Sequence, residues 1–166
     1  LELNTFEFSQ NYFMFWDKLE KANYFLENII KSRDESYESR LITHLLKAPV
    51  QDGGQWDMFV NLINKYGAVP KDVMPETNHS SKSGAMNYIL THKLREFASI
   101  LRKKPAKNSS ALKKDMMETI YNLLAMFLGQ PPDVINWSTR NKDNRHIVIS
   151  DICLLYTSDA ADDTPC

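Results

Sequence analysis

Apolar residues recur at intervals of three and four from Tyr12 onwards: Phe15 and Trp16, Leu19, Ala22, Leu26, Ile29 and Ile30. That period places them on one face of a helix, and Ser9 stands where an N-cap is needed. A shorter amphipathic run, Tyr37 to Leu46, stops before Pro49. A third helix is predicted from Gln55 to Tyr66, with Trp56, Phe59, Val60 and Ile63 on its apolar face. Gly67 follows as a left-handed C-cap, and Pro70 blocks continuation. The polar stretch KDVMPETNHSSKSG, Lys71 to Gly84, predicts a loop. Two long helices come next. Met86, Ile89, Leu90, Leu94, Phe97, Ile100 and Leu101 define the first, which ends near Pro105. Leu112, Met116, Ile120, Leu123, Leu124 and Phe127 define the second, closed by Gly129 and then Pro131 and Pro132.

Only DVINWSTRNKDNRHIVIS, Asp133 to Ser150, has an extended character. Two short runs around the polar NKDN predict a β-hairpin. The closing stretch CLLYTSDAADDTPC has neither period and resembles a read-through into adapter sequence joined at about Cys153. Residues 1–152 are therefore expected to carry the fold, and residues 153–166 to be a non-native tail.

Composition narrows the function classes. A chain of 166 residues with 43% hydrophobic and 25% charged residues can bury one substantial core. Its net charge of −1 provides no global attraction to nucleic acid or to an anionic membrane. No run approaches the ~20 apolar residues that span a bilayer. The only cysteines, Cys153 and Cys166, lie in the tail, so residues 1–152 offer no disulfide framework or Cys-rich zinc site. That usage suits the cytosol. His44, His79, His92 and His146 are scattered with no ligand spacing, so neither a metal site nor a cofactor is expected. A Cys153–His146 nucleophilic pair would sit at the tail junction and is set aside. Met116, Met117 and Met126 are expected to fill the core. The basic group Arg102, Lys103, Lys104, Lys107, Lys113 and Lys114 reads as a solvated edge.

One stretch resists this grammar. VQDGGQWDMF sets Gly53 beside Gly54 just ahead of the third helix, in a chain with only five glycines. Adjacent glycines permit positive φ and remove the Cβ atoms that keep another backbone at a distance. The pair could be a tight turn feeding the helix. It could also open main-chain N–H and C=O groups to an extended peptide, as a sheet edge does. It is no phosphate loop, because the Lys and Ser/Thr of that motif are missing.

FEFSQNYFMFWDKLEKANYF, DGGQWDMFVNLINKYGAVPK with a following PE, MNYILTHKLREFA, LGQPP and RNKDN together resemble the bleomycin hydrolase and aminopeptidase C family. The resemblance runs from about Glu2 to Asp151, in the family's motif order. It implies an α+β papain-like cysteine peptidase, of which this stretch is mainly α-helical with one β-hairpin near its C-terminal end. It also implies that Gly53 and Gly54 lie on the wall of the substrate cleft, with Gly54 bonding to the peptide main chain. Gln55 and Trp56 would then lie near the second subsite, unless Trp56 anchors its helix in the core.

In that family a Cys thiolate attacks the carbonyl, a His moves the proton, an Asn orients the His, and a Gln helps stabilise the oxyanion. None of the four matches a residue here, so no catalytic residue is assigned. The nucleophile is expected upstream of Leu1, and an N-terminus beyond Leu1 is expected too, since a start at Met14 would cut into the first helix's apolar face. The chain would be an inactive internal piece of a cytosolic aminopeptidase that acts on peptides and assembles as a homo-hexamer. Its isolated apolar faces would invite aggregation. The competing reading is a small helical interaction or nucleic-acid-binding module, complete as given, using the Arg102–Lys114 edge.

Overall fold

The computed structural model describes residues 6–152. Its elements run α1 (Gln10–Lys31), α2 (Arg40–Lys47), α3 (Trp56–Tyr66), α4 (Asn78–Ser81), α5 (Gly84–Lys103), α6 (Ser109–Leu128), β1 (Val134–Arg140) and β2 (His146–Ile152). A single 3-10 turn, Ala106–Asn108, joins α5 to α6.

The long apolar stripe makes α1 the central element. It packs against α2, α3, α5 and α6. Phe15, Leu26 and Ile29 of α1 are fully buried with Leu90 and Leu94 of α5 and Ile120 and Leu124 of α6. Ser9 caps the helix as its sequence position predicts, accepting the Tyr12 N–H at 3.0 Å and donating to the Met74 carbonyl at 2.5 Å. Beside it, the wholly buried Asn11 amide donates to the carbonyls of Pro75 (2.8 Å) and Leu128 (2.7 Å). One polar residue thus ties the start of α1 to the end of α6, and it satisfies carbonyls that would otherwise be desolvated alone.

Basic residues close the helix ends. Arg102, near the end of α5, donates to the carbonyls of Ser32 (3.0 Å) and Glu35, just past α1. Arg33, just past α1, donates in return to the Lys104 carbonyl at the end of α5. Arg95 donates to the carbonyls of Leu46 (2.9 Å) and Lys47 (3.2 Å), closing α2. Each guanidinium satisfies carbonyls left open by a terminating helix and complements the dipole there.

Several expectations need correction. The second helix starts at Arg40, three residues after Tyr37, because Ser39 caps it by accepting the Ile42 N–H at 3.2 Å. The expected loop from Lys71 to Gly84 contains α4, one turn made possible by a reciprocal Thr77–Ser80 capping box. Met126 is no core filler at 73% exposed, whereas Met116 and Met117 are buried. The predicted apolar face of α3 is also rotated. Its buried residues are Leu62 and Tyr66, while Trp56 and Ile63 face outward. Tyr66 sets that rotation: its ring stacks on Trp16 at 4.0 Å between centroids, and its carbonyl accepts the Tyr12 hydroxyl at 2.6 Å.

Gly67 has the positive φ expected of a C-cap (+72°), but its ψ of −162° lies outside the left-handed helical region. This extended, glycine-only conformation turns the chain so that the Val69 carbonyl accepts the Ser9 N–H at 2.9 Å. The hairpin forms as predicted, with Val134 opposite Ile152 and Arg140 opposite His146. Asn144, the last residue of NKDN, carries the positive φ of its turn (62°). The expected tail, with Cys153 and Cys166, lies outside the described residues.

Candidate peptide-binding strip

Between α2 and α3 the chain crosses one flank of α1 as an irregular segment, and two lysines of that helix hold it there. Lys18, only 1% exposed, donates to the Val50 carbonyl at 2.7 Å and to the Asp52 carboxylate at 2.6 Å. Lys21, one turn further on, donates to the carbonyls of Gln51 (2.9 Å) and Gly53 (2.8 Å) and to Asp17 (2.6 Å). Asp52 is fixed from its other side by the amide of Asn87 (2.9 Å) and the hydroxyl of Ser83 (3.1 Å), which begin α5.

This anchoring determines what Gly53 and Gly54 present. Both glycines are exposed, and neither has positive φ, so the backbone conformation demands glycine at neither position. A Cβ added at either would meet nothing within 4 Å. The glycines therefore leave a strip of main chain clear towards solvent. Gly53 already gives its carbonyl to Lys21, whereas among the described residues Gly54 finds no partner for its N–H or its C=O. Gln55 begins α3, and its carbonyl accepts the Met58 N–H at 3.1 Å.

Trp56 does not anchor α3 in the core: it is 74% exposed and touches Phe59 at 5.7 Å between ring centroids. From Phe59 an aromatic series continues through Phe13 (4.9 Å), Phe8 (6.4 Å from Phe13) and Phe6 (4.7 Å from Phe8) to Trp137 of β1 (5.6 Å from Phe6). The strip thus has an open main-chain segment at one end and an aromatic flank alongside.

Burial drives the Lys18 ammonium below its ordinary pKa, a shift partly offset by its contact with Asp52. For Asp52, burial acts to raise the pKa, but the hydrogen bonds from Lys18, Asn87 and Ser83 together outweigh it and hold the carboxyl below its usual value. A carboxylate depressed in the fold contributes stability above its unfolded pKa of ~3.9 and loses it as pH falls through the folded value. Protonation of Asp52 should therefore loosen the 50–54 segment in acid. The NMR shifts of the Asn87 side-chain amide, which donates to Asp52, and of the 50–54 backbone are expected to move below about pH 4, ahead of those in α1.

Lys18, Lys21, Asp52, Ser83 and Asn87 were not singled out by pattern reading. A signal was present, since Lys18 falls one turn after Phe15 and beside Leu19 on the apolar stripe of α1. A lysine on a buried face needs partners. Of the predicted basic edge, Arg102 is committed to carbonyls and the buried Lys113 to Glu27, leaving Lys103, Lys104, Lys107 and Lys114 exposed. Among the described residues, no three His, Cys, Asp or Glu side chains gather as a metal site would require. Nor is any described helix long and apolar enough to cross a membrane.

The fold is that of a papain-like peptidase, seen in its mainly helical part with a two-strand antiparallel hairpin near the C-terminal end. A crystal structure of PepW from Lactobacillus rhamnosis HN001 superposes with a TM-score of 0.87 and 44% identity, over 92% of this chain and 35% of that one. The Peptidase C1-like family profile matches residues 1–156, and the chain belongs to that family. Among curated relatives, aminopeptidase C of Listeria innocua is 56% identical over 146 residues, covering 87% of this chain and 33% of that protein. Bleomycin hydrolase of Oryctolagus cuniculus is 42% identical over 159 residues, covering 92% of this chain and 57% of that protein. The resemblance to these two groups, read from the sequence motifs, is borne out. The chain spans about a third of the length of the Listeria relative.

Proposed function

We propose that this chain forms one wall of the substrate cleft in a cytosolic cysteine aminopeptidase, and that it works as a part of a longer enzyme. Gly53 and Gly54 line the wall, with Gln55 and Trp56 beside the second subsite. The observation that carries this reading is the unobstructed main chain at Gly54, held open in a chain whose relatives are named aminopeptidase C and bleomycin hydrolase.

The described residues hold no cysteine, and this wall contributes binding rather than chemistry. Extended peptides bound to main-chain groups are held in one register, which brings the scissile carbonyl to a fixed position. A thiolate from elsewhere in the enzyme then attacks that carbon. The carbonyl π electrons move onto oxygen, and collapse of the adduct expels the amine, which takes a proton from the histidine. Water hydrolyses the resulting thioester and frees the thiol. By the same family resemblance, a C-terminal arm of the enzyme would occupy part of the cleft and limit cleavage to the N-terminal residue, and the working assembly would be a homo-hexamer. The rival nucleic-acid reading is weakened by the inward commitment of Arg102 and Lys113.

Assays on an aminoacyl-amide reporter test the proposal. The longer enzyme is expected to hydrolyse it and to lose activity on thiol alkylation, while the purified 166-residue chain shows none. Turnover by the chain alone would contradict the proposal.

A further inference from the structure

Three carbonyls in a short segment, those of Val50, Gln51 and Gly53, are turned towards α1 and bonded to just two ammonium groups. Turning three of four neighbouring carbonyls to one side is not a property of a free loop, whose carbonyls would be distributed among water molecules. Here the donors are long side chains on a rigid helix, and one of them, Lys18, is almost wholly buried. Asp52 adds a lateral brace to α5 through Asn87 and Ser83. Among the described residues the main-chain groups of Asp52 and Gly54 have no hydrogen-bond partner, but the Asp52 side chain is tied to Lys18, Asn87 and Ser83, whereas at Gly54 no side chain stands beside the main chain. A residue later, the Gln55 carbonyl is taken up by α3.

We propose that Lys18 and Lys21 are positioning residues for peptide binding: by drawing the carbonyls of Val50, Gln51 and Gly53 onto α1, they fix the orientation in which the Gly54 N–H and C=O are presented to a bound strand. The inference rests on the reading of the strip as a peptide-binding wall and adds what sets its register. Lys21 has the larger share in orientation, because it grips the carbonyls on both sides of Asp52. Lys18 has the larger share in anchoring, because it is buried and reaches the brace. Without Lys21, the peptide unit joining Gly53 to Gly54 is free to rotate. Its rotation carries the Gly54 N–H away from the ligand and swings the Gly54 carbonyl that follows it out of line with the ligand's donor, and no bulky side chain resists it.

The test uses the full-length enzyme that contains this chain and a series of extended peptide inhibitors, each with one backbone amide replaced by an ester. An ester removes the donor that would bond to the Gly54 carbonyl and leaves that carbonyl unsatisfied. In the unaltered enzyme one position of the series is expected to lose affinity by about tenfold. In Lys21→Met, which keeps the apolar stem, the penalty at that position is expected to shrink below about twofold, while Lys21→Arg restores it. Lys18→Met provides an independent reading should Lys21→Met fail to fold, with the same loss of ester discrimination expected.

If no ester position discriminates in the unaltered enzyme, the strip does not bind peptide main chain, and the proposed function of the wall fails first. If discrimination is present and survives in both methionine variants, the wall reading stands and the positioning role is overturned. A uniform fall in affinity for all members of the series, tracking a fall in Tm, would likewise assign the lysines a merely structural part.

Discussion

Gly54→Val is expected to raise KM for peptide substrates of the longer enzyme by about ten- to a hundredfold while leaving its Tm nearly unchanged. The two halves of this expectation come from the same geometry. A Cβ at Gly54 meets nothing within 4 Å, so the folded chain accommodates a side chain without displacing a neighbour. The backbone there needs no positive φ, so a β-branched residue adds no forbidden conformation. The new methyl groups stand instead where a second backbone must approach within hydrogen-bond distance. They should deny the ligand its bonds to the Gly54 N–H and C=O. Parallel Michaelis and thermal-melt measurements on the variant separate the two effects. A fall in Tm without a rise in KM would mean that the glycine serves the fold.

Phe15→Ala is expected to do the reverse, lowering stability by about 3–5 kcal/mol. Phe15 is fully buried on α1, edge-on to Trp16 (5.2 Å) and to Tyr121 of α6 (5.1 Å). Removing its ring forfeits the transfer energy of a large apolar side chain. It also leaves a cavity where the two longest-packed helices meet, at a point that backbone relaxation cannot easily fill. A loss of that size is a large part of the whole stability of a typical domain. Urea denaturation of the enzyme would register it as a lower midpoint with the same slope. A change under 1 kcal/mol, read against that expected range, would show that the α1–α6 contact is looser than the structure has it.

Much of this architecture is legible from period and punctuation. The stripe from Tyr12 to Ile29 and the cap at Ser9 are local signals, and α1 obeys them to the residue. The NKDN turn is local as well, and Asn144 adopts the left-handed conformation such a turn needs. Where reading failed, the deciding contact came from far along the chain. The apolar pattern of α3 favours Trp56 and Ile63, but Tyr66 is claimed by Trp16 and Tyr12, and that claim rotates the helix. The pattern counts apolar residues and cannot weigh a stacked ring with a bonded carbonyl.

The strip shows the same division. Its glycines are conspicuous in a glycine-poor chain, and the motif resemblance implies a place for them on a cleft wall. Sequence alone offers two reasons for the pair, a turn and an open main chain, and at neither position does the backbone take the positive φ that would call for glycine by itself. The lysines beneath were invisible to motif reading because their partners are main-chain carbonyls, which carry no residue identity. Only Lys18, on a buried face, gave itself away by position.

A crystal structure of the longer enzyme with an extended peptide aldehyde captured on its nucleophile tests the central claim most directly. The ligand's main chain is expected to run alongside Gly54, with the Gly54 N–H and C=O each bonded to it at about 2.7–3.2 Å. Gly53 should keep its carbonyl on Lys21. A peptide lying on another surface, with both groups of Gly54 facing only water, would contradict the account.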